Sequence, residues 1–163
     1  MDSSLYVGSQ WFNHVSSEIS QYRTTLGEKG AKKYRLDLLL RVAKRVDDFS
    51  QYCGECEAYK KEIGSLVQEL SMLVQMPSRE GARKHNKAVT RLVEHLKKVH
   101  KLVDKGHYMG IGIGIGMAIG AGAGGALGAI FDSPGIGTGI GLALGLAIGA
   151  YLDKRARDEG RVI

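Results

Sequence analysis

Two cysteines and two histidines have the types and spacing that could bind a metal ion. Cys53 and Cys56 are three positions apart, and His95 and His100 are five positions apart. Sulfur and imidazole nitrogen are the ligands that structural zinc prefers, and a C-x2-C pair with an H-x4-H pair matches the spacings of tetrahedral zinc sites. The sequence therefore predicts a zinc cofactor bound by these four residues.

Other chemistry is open to the same cysteines. They are the only two cysteines of the chain, which excludes a disulfide framework. Glu57 follows Cys56 at the position where a haem attachment motif requires histidine. A redox pair remains an alternative. So does a purely structural role, because free cysteine behaves as a small buried apolar residue.

Helices must position these side chains. Apolar residues recur at intervals of three and four, which predicts one long helix over 34–76 in coiled-coil-like packing. Pro77 ends it, and a second periodic run predicts a helix over 80–107. The short connection makes the two helices antiparallel. The predicted fold class is all-α, with an N-terminal helical bundle built on a coiled-coil hairpin.

The geometry of this hairpin ranks the histidines. If the turn centres near residue 79, His100 lies roughly 3 Å along the helix axis from the level of Cys56, and His95 lies roughly 10 Å away. His100 is therefore the favoured partner of Cys56. His107, seven positions further along the same face, comes next.

The N-terminal part has the features of a cytoplasmic domain. A further periodic run predicts a lead-in helix over 8–26. The first thirty residues lack a continuous apolar run followed by a cleavage site, so we expect no cleavable signal peptide. The cysteine content suits a reducing compartment. We expect residues 1–107 to form one cytoplasmic helical domain.

The glycines divide the chain of 163 residues into two different parts. Fifteen of the 23 glycines lie within 110–149, where Asp132 is the only charged residue. The uncharged runs 108–131 and 135–152 would be roughly 36 and 27 Å long as helices, against a hydrocarbon core of about 30 Å. These runs predict two transmembrane helices, although the mean hydropathy of the whole chain is only -0.13.

Basic residues flank both predicted spans, whereas the turn between them has none. The positive-inside rule then places both termini in the cytoplasm, with 153–163 as a basic tail, and predicts a multi-pass membrane protein. Anionic lipid head groups are the expected partners of the flanking residues. Those residues are Lys97, Lys98, Lys101, Lys105, Lys154 and Arg155.

Glycines recur every four residues in both runs, which places them on one face of each helix. Such stripes allow close helix packing. They either pack the two helices of one hairpin or contact neighbouring chains, and glycines on further faces favour a homo-oligomer. A β-rich form is the alternative suggested by the alternation over 110–116. The helix-packing residues are Gly112, Gly116, Gly120, Gly124, Gly128, Gly137, Gly141, Gly145 and Gly149.

These stripes resemble those of glycine-zipper proteins with two transmembrane helices, a largely uncharacterised group of bacterial membrane proteins. The resemblance covers residues 108–152. The alternation over 110–116 also resembles the first helix of the ring subunit of rotary ATP synthases. The second run, 135–152, contains no acidic residue, which argues against an ion relay.

The function predicted from these features is a non-enzymatic membrane scaffold or adaptor that self-associates through its glycine stripes and presents its helices to a protein partner. The alternative is an oligomeric pore former of toxin, defence or holin type. No phosphate-binding loop, nucleophile elbow or paired-carboxylate site is recognisable. Nucleic acid is a weaker expectation, because the basic residues lie in no recognised binding motif.

Overall fold

The computed structural model describes the backbone of residues 9–131 and 135–163, and the side chains of these residues except 123, 125–131, 135 and 136. The described residues form six helices and no strand, which confirms the all-α prediction. Val103 and Val162 form an isolated β-bridge. The helices are α1 (Gln10–Lys33), α2 (Leu36–Phe49), α3 (Gly54–Gln75), α4 (Arg79–His100), α5 (His107–Phe131) and α6 (Gly135–Asp158).

The chain divides into two compact units. The first extends to His100 and includes Ile163, and the second is Lys101–Val162. The first unit therefore contains α1 to α4, and the second contains α5 and α6.

The segment predicted as one helix over 34–76 forms two helices, α2 and α3. The backbone N–H groups of Tyr52 and Cys53 both donate to the carbonyl of Phe49, at 3.2 and 2.9 Å. These bonds close a turn after α2, and Cys53 has an extended backbone before α3 begins. The apolar spacing did not reveal this break, because Phe49, Cys53 and Cys56 keep the interval of three or four across it.

Two further helix boundaries differ from the predictions. The helix predicted over 8–26 continues to Lys33 across a kink at Gly27, which has a φ of 63°. Glycine adopts this left-handed conformation without the steric cost of a Cβ. The helix predicted over 80–107 ends at His100, and Lys101, with a φ of 55°, leaves the helical conformation.

The core of the first unit consists of the apolar faces of its four helices. Burial of such faces is the main favourable contribution to folding. The seam that periodicity predicts over 39–74 is largely buried. The large buried side chains include Val15, Ile19, Leu36, Leu39, Val42, Val46, Ile63, Leu70, Leu92 and Leu96.

Lys60 interrupts the apolar seam, and an ion pair explains its position. Its ammonium lies 3.2 Å from the carboxylate of Asp47, which is 5% exposed. The Ser9 hydroxyl donates to the same carboxylate at 2.7 Å. Lys60 also pairs with Glu57 at 3.3 Å, so it is the removal of Lys60 that would leave a buried charge, that of Asp47, without its cation, which is costly. Asp47 thereby connects the start of α1 and the end of α2 to α3.

His85 satisfies a backbone group at the junction of α1 and α2. Its Nε2 donates to the carbonyl of Tyr34 at 3.1 Å, and its ring packs edge-on against the Tyr34 ring. The Nδ1 atom is buried without a hydrogen-bond partner. Burial lowers the pKa of His85, an effect opposed in part by the bond to Tyr34. His85 therefore stays neutral in the folded chain at pH values where an exposed histidine is charged.

In the second unit, α5 and α6 pack antiparallel through glycine backbone. Gly112, Gly116, Gly120 and Gly124 face Gly137, Gly141, Gly145 and Gly149. A Cβ built on Gly120 would lie 2.8 Å from the carbonyl oxygen of Gly137, closer than real Cβ atoms approach. Both stripes thus pack the two helices of one hairpin. Gly128 lies outside the described side-chain positions.

The Asp153 carboxylate of α6 accepts hydrogen bonds from the first turn of α5. The backbone N–H groups of Tyr108 and Met109 each donate to Asp153 at 3.0 Å, and Asp153 is buried. Negative charge at a helix N-terminus is favourable, because the first N–H groups lack partners within the helix. The carboxylate of α6 therefore acts as a cap for α5.

The prediction of a multi-pass membrane protein with two spans and cytoplasmic termini is wrong. In the parts of the chain that the structure covers, no helix combines the length and the apolar character that crossing a membrane requires. The prediction rested on the length of the uncharged runs, and length without charge does not by itself establish the apolar character that a span needs. The contacts with lipid head groups and the pore-forming alternative stay predictions.

The neutral state of His85 predicts a loss of stability in acid. Because its pKa is lower when folded, the unfolded chain binds the proton first as the pH falls below about 6.5, and unfolding becomes easier by up to about 1.4 kcal/mol per pH unit. We expect His85→Gln to lose less stability than the wild type between pH 7.5 and 5.5. Urea unfolding in the presence of a metal chelator measures this, and identical pH dependence would contradict it.

Candidate metal centre

The four predicted ligands come from two helix ends that lie side by side. Cys53 is the residue before α3, and Cys56 lies in the first turn of α3. His95 and His100 belong to the last two turns of α4. Because α3 and α4 are antiparallel neighbours, the start of one meets the end of the other. Because the helix is broken before Gly54, Cys53 has an extended rather than a helical backbone.

The distances between the donor atoms fit a single tetrahedral ion. The Nε2 atom of His95 lies 3.6 Å from Cys53 Sγ and 3.5 Å from Cys56 Sγ, and His100 Nε2 lies 3.3 Å from Cys56 Sγ. All four donor atoms lie within 4.8 Å of one another. Zinc–sulfur and zinc–nitrogen bonds of the usual lengths imply ligand separations of about 3.3 to 3.8 Å in a tetrahedron.

The centre is shielded from solvent but not sealed. Cys56 is fully buried, the His95 side chain is 6% exposed, and Cys53 and His100 are half-buried. Both cysteines are free thiols. An ion here would be reachable from one side only, through Cys53 and His100.

The protonation state of Cys56 opposes binding of a cation, whereas that of His100 favours it. Burial raises the pKa of the Cys56 thiol to about 12, with Cys53 and the Glu55 carboxylate adding to the effect. Without metal the thiol therefore keeps its proton at neutral pH, and a bound metal must displace that proton. Burial, together with His95, lowers the pKa of His100, which keeps the imidazole neutral and able to donate a lone pair.

Glu55 orients the more buried histidine. Its Oε2 atom lies 2.7 Å from His95 Nδ1. With the proton on Nδ1, the lone pair of His95 Nε2 points towards the two sulfur atoms. Ligating histidines commonly donate their other N–H group to a carboxylate in this way. Glu55 is thus a positioning residue that sequence spacing did not identify, although it lies between the two cysteines.

Aromatic rings hold both imidazoles in place. Phe49 stacks on His100 with ring centroids 3.9 Å apart and an interplanar angle of 11°. Tyr59 packs edge-on against His95 at 5.0 Å. Because Phe49 is the last residue of α2, the helix break also supplies this contact.

The prediction of a zinc-compatible group of Cys53, Cys56, His95 and His100 is confirmed. His100, the predicted favoured partner, lies 3.3 Å from Cys56 Sγ, and His95 lies at 3.5 Å, much nearer than its predicted level on the helix. That ranking assumed a continuous helix through Cys53. His107, the next candidate, is the first residue of α5 in the second unit.

The residues predicted to contact lipid head groups lie outside the group of four candidate metal ligands. Lys97 and Lys98 belong to the last turn of α4, and Lys154 and Arg155 belong to α6. Lys101 and Lys105 lie between α4 and α5. Arg155 forms an ion pair with Glu159 at 2.7 Å. None of these basic residues belongs to the metal-ligand group.

Comparisons with protein-family models, with curated proteins and with solved structures find no match to this chain. The metal centre is therefore interpreted from its own geometry.

Glu55 provides a test of the site that leaves all four ligands intact. We expect Glu55→Gln to weaken zinc binding by about 10- to 100-fold, because a neutral amide holds the Nδ1 proton of His95 less strongly. Competition with a chromophoric chelator measures the affinity. Glu57→Gln, with the same change of charge two residues further along α3, should bind like the wild type. Equal affinities for Glu55→Gln and the wild type would contradict the role of Glu55.

Proposed function

We propose that this chain is a non-enzymatic helical scaffold whose first unit is stabilised by structural zinc. The observation that carries the proposal is the convergence of two sulfur and two nitrogen donors within 4.8 Å. Four protein ligands fill a tetrahedral zinc ion, whereas catalytic zinc keeps a position open for water or substrate. This donor set therefore favours a structural role over catalysis.

The zinc would connect parts of the first unit that are distant in sequence. Its ligands span residues 53 to 100, so the ion would close a long loop and restrict the unfolded chain. It would hold the end of α4 on the start of α3 and keep the stacked pair of Phe49 and His100 at the end of α2. The helical surfaces of the unit would thereby keep a fixed arrangement for a partner.

Zinc content and zinc-dependent stability test this proposal. We expect purified chain to hold one zinc per molecule, and Cys56→Ser to retain less than about 0.2, because a serine hydroxyl is a poor zinc ligand. Free zinc at 100 times its dissociation constant should stabilise the wild type by about 2.7 kcal/mol and leave Cys56→Ser unchanged.

The control is Ser65→Cys, which places a thiol on an exposed position of α3 away from the ligands. It should bind zinc like the wild type. A wild-type chain that purifies without zinc and gains no stability from added zinc would contradict the proposal.

Self-association is a second candidate function, favoured by the outer surface of the second unit. Among the described side chains of α5 and α6, ten large apolar ones are exposed, from Leu142 at 37% to Tyr151 at 66%. They make the outer surface of this unit extensively apolar. Monomers rarely expose large apolar patches.

A second copy of the chain is the occupant that fits this surface. A groove of 260 Å³ runs between α5 and α6 with Gly112, Gly116, Gly141 and Gly145 in its lining. The remaining lining residues, Ile115, Ile119, Leu144 and Ile148, are apolar side chains that a neighbouring groove of the same kind could receive. The stripes themselves pack within one chain, so the contact would use these side chains.

Molar mass in solution tests self-association. We expect the wild type to form dimers or larger oligomers in light scattering. The double variant Ile119→Glu and Ile148→Glu should be monomeric, because buried carboxylates in an apolar contact are costly. Val99→Glu, at an exposed apolar position of the first unit, should behave like the wild type. A monomeric wild type would contradict this function.

A further inference from the structure

A shallow, open surface cleft in the first unit is lined by four cationic residues, two polar residues and Ala82. Its volume is about 620 Å³. One wall is Lys33, the last residue of α1, and the other is the first half of α4. The polar residues that line it are Lys33, Arg79, Arg83, Asn86, Lys87 and Thr90.

The basic residues beside the cleft form ion pairs with carboxylates, whereas in the described part of the chain the four cations that line it do not. Lys32 lies 3.6 Å from Glu28, Lys84 lies 3.6 Å from Glu69, and Arg91 pairs with Glu62. Within the described ranges, no carboxylate forms an ion pair with Lys33, Arg79, Arg83 or Lys87, and none lines the cleft. The Lys33 ammonium lies 5.1 Å from the centre of the Tyr34 ring, and Glu80 lines an adjoining pocket with Arg79 and Arg83. The four cations still outnumber this one neighbouring carboxylate, so the cleft keeps a net positive charge.

The α4 cations form a regular row. Arg79, Arg83 and Lys87 are four residues apart, so they share one face of the helix with a rise of about 6 Å between successive members. Such a row suits a chain of repeated anions better than a single anion. Lys33 adds a charge from the opposite wall.

Hydrogen bonds hold the two walls together. Asn86 Nδ2 donates to the carbonyl of Lys33 at 3.0 Å, and Arg35 Nη1 donates to Thr90 Oγ1 at 2.9 Å. Arg35 has a left-handed backbone, with a φ of 52°, at the start of α2. The cleft is thus formed by the packing of α1 and α2 on α4.

We propose that this cleft binds the sugar-phosphate backbone of a nucleic acid. Arginine offers paired N–H donors that match phosphate oxygens. No aromatic side chain lines the cleft, so stacking on bases makes no contribution there. Binding is therefore independent of sequence and dominated by electrostatic attraction to phosphates. The spacing of these basic residues matches no recognised motif, which is why nucleic-acid binding is only a weaker expectation from the sequence.

Fluorescence anisotropy of the zinc-loaded full chain tests the proposal, with a labelled 20-base-pair duplex DNA and a labelled single-stranded RNA of mixed sequence. Four phosphate contacts predict that affinity for the duplex falls about 100-fold between 50 and 200 mM salt. The probe that binds more tightly shows whether the cleft prefers the backbone of duplex DNA or that of single-stranded RNA. Absence of salt-dependent binding to both probes would overturn the proposal.

Substitutions in the cleft test whether the nucleic-acid probe binds there. Arg83→Gln combined with Lys87→Gln should reduce affinity at least tenfold. The number of phosphate contacts inferred from the salt dependence of the affinity should fall by about two. Lys61→Gln, at an exposed position of α3, is the control and should bind like the wild type. Affinity unchanged in the double variant, or lost equally in the control, would overturn the proposal. Equal displacement of the probe by polyglutamate would do so as well, because it would indicate an acidic protein partner.

Discussion

The convergence of two thiols and two imidazoles at one end of the α3–α4 pair is the interaction on which the first unit depends. These groups are half-buried or buried, and their donor atoms lie within 4.8 Å of one another. Two thiolates could not share that space without a cation, because burial penalises each charge. A divalent cation would balance the charges, and the three donor distances of 3.3 to 3.6 Å match those of a tetrahedron.

The second unit differs from the first in where its large apolar side chains lie. Its interior is glycine backbone against glycine backbone, and its large apolar side chains point outwards. Close approach of the two helices replaces a core of interlocking side chains. Asp153 secures the first turn of α5 by accepting two backbone hydrogen bonds. The unit therefore combines a tight internal contact with an apolar outer surface.

Local residue patterns predicted much of this structure, and their failures have physical causes. Spacing identified the four metal ligands and the glycines that face each other. It missed the break before Gly54, because the apolar interval continues through the turn. It missed Glu55, whose role depends on the position of His95 in another helix. It overestimated the suitability of α5 and α6 as membrane spans, because it relied on the length of the uncharged runs alone.

The central claim is that sulfur from Cys53 and Cys56 and nitrogen from His95 and His100 coordinate one zinc ion. X-ray absorption at the zinc edge of the purified chain measures the ligand set directly. We expect two sulfur atoms at about 2.3 Å and two nitrogen atoms at about 2.0 to 2.1 Å. A first coordination sphere of oxygen and nitrogen without sulfur would contradict it.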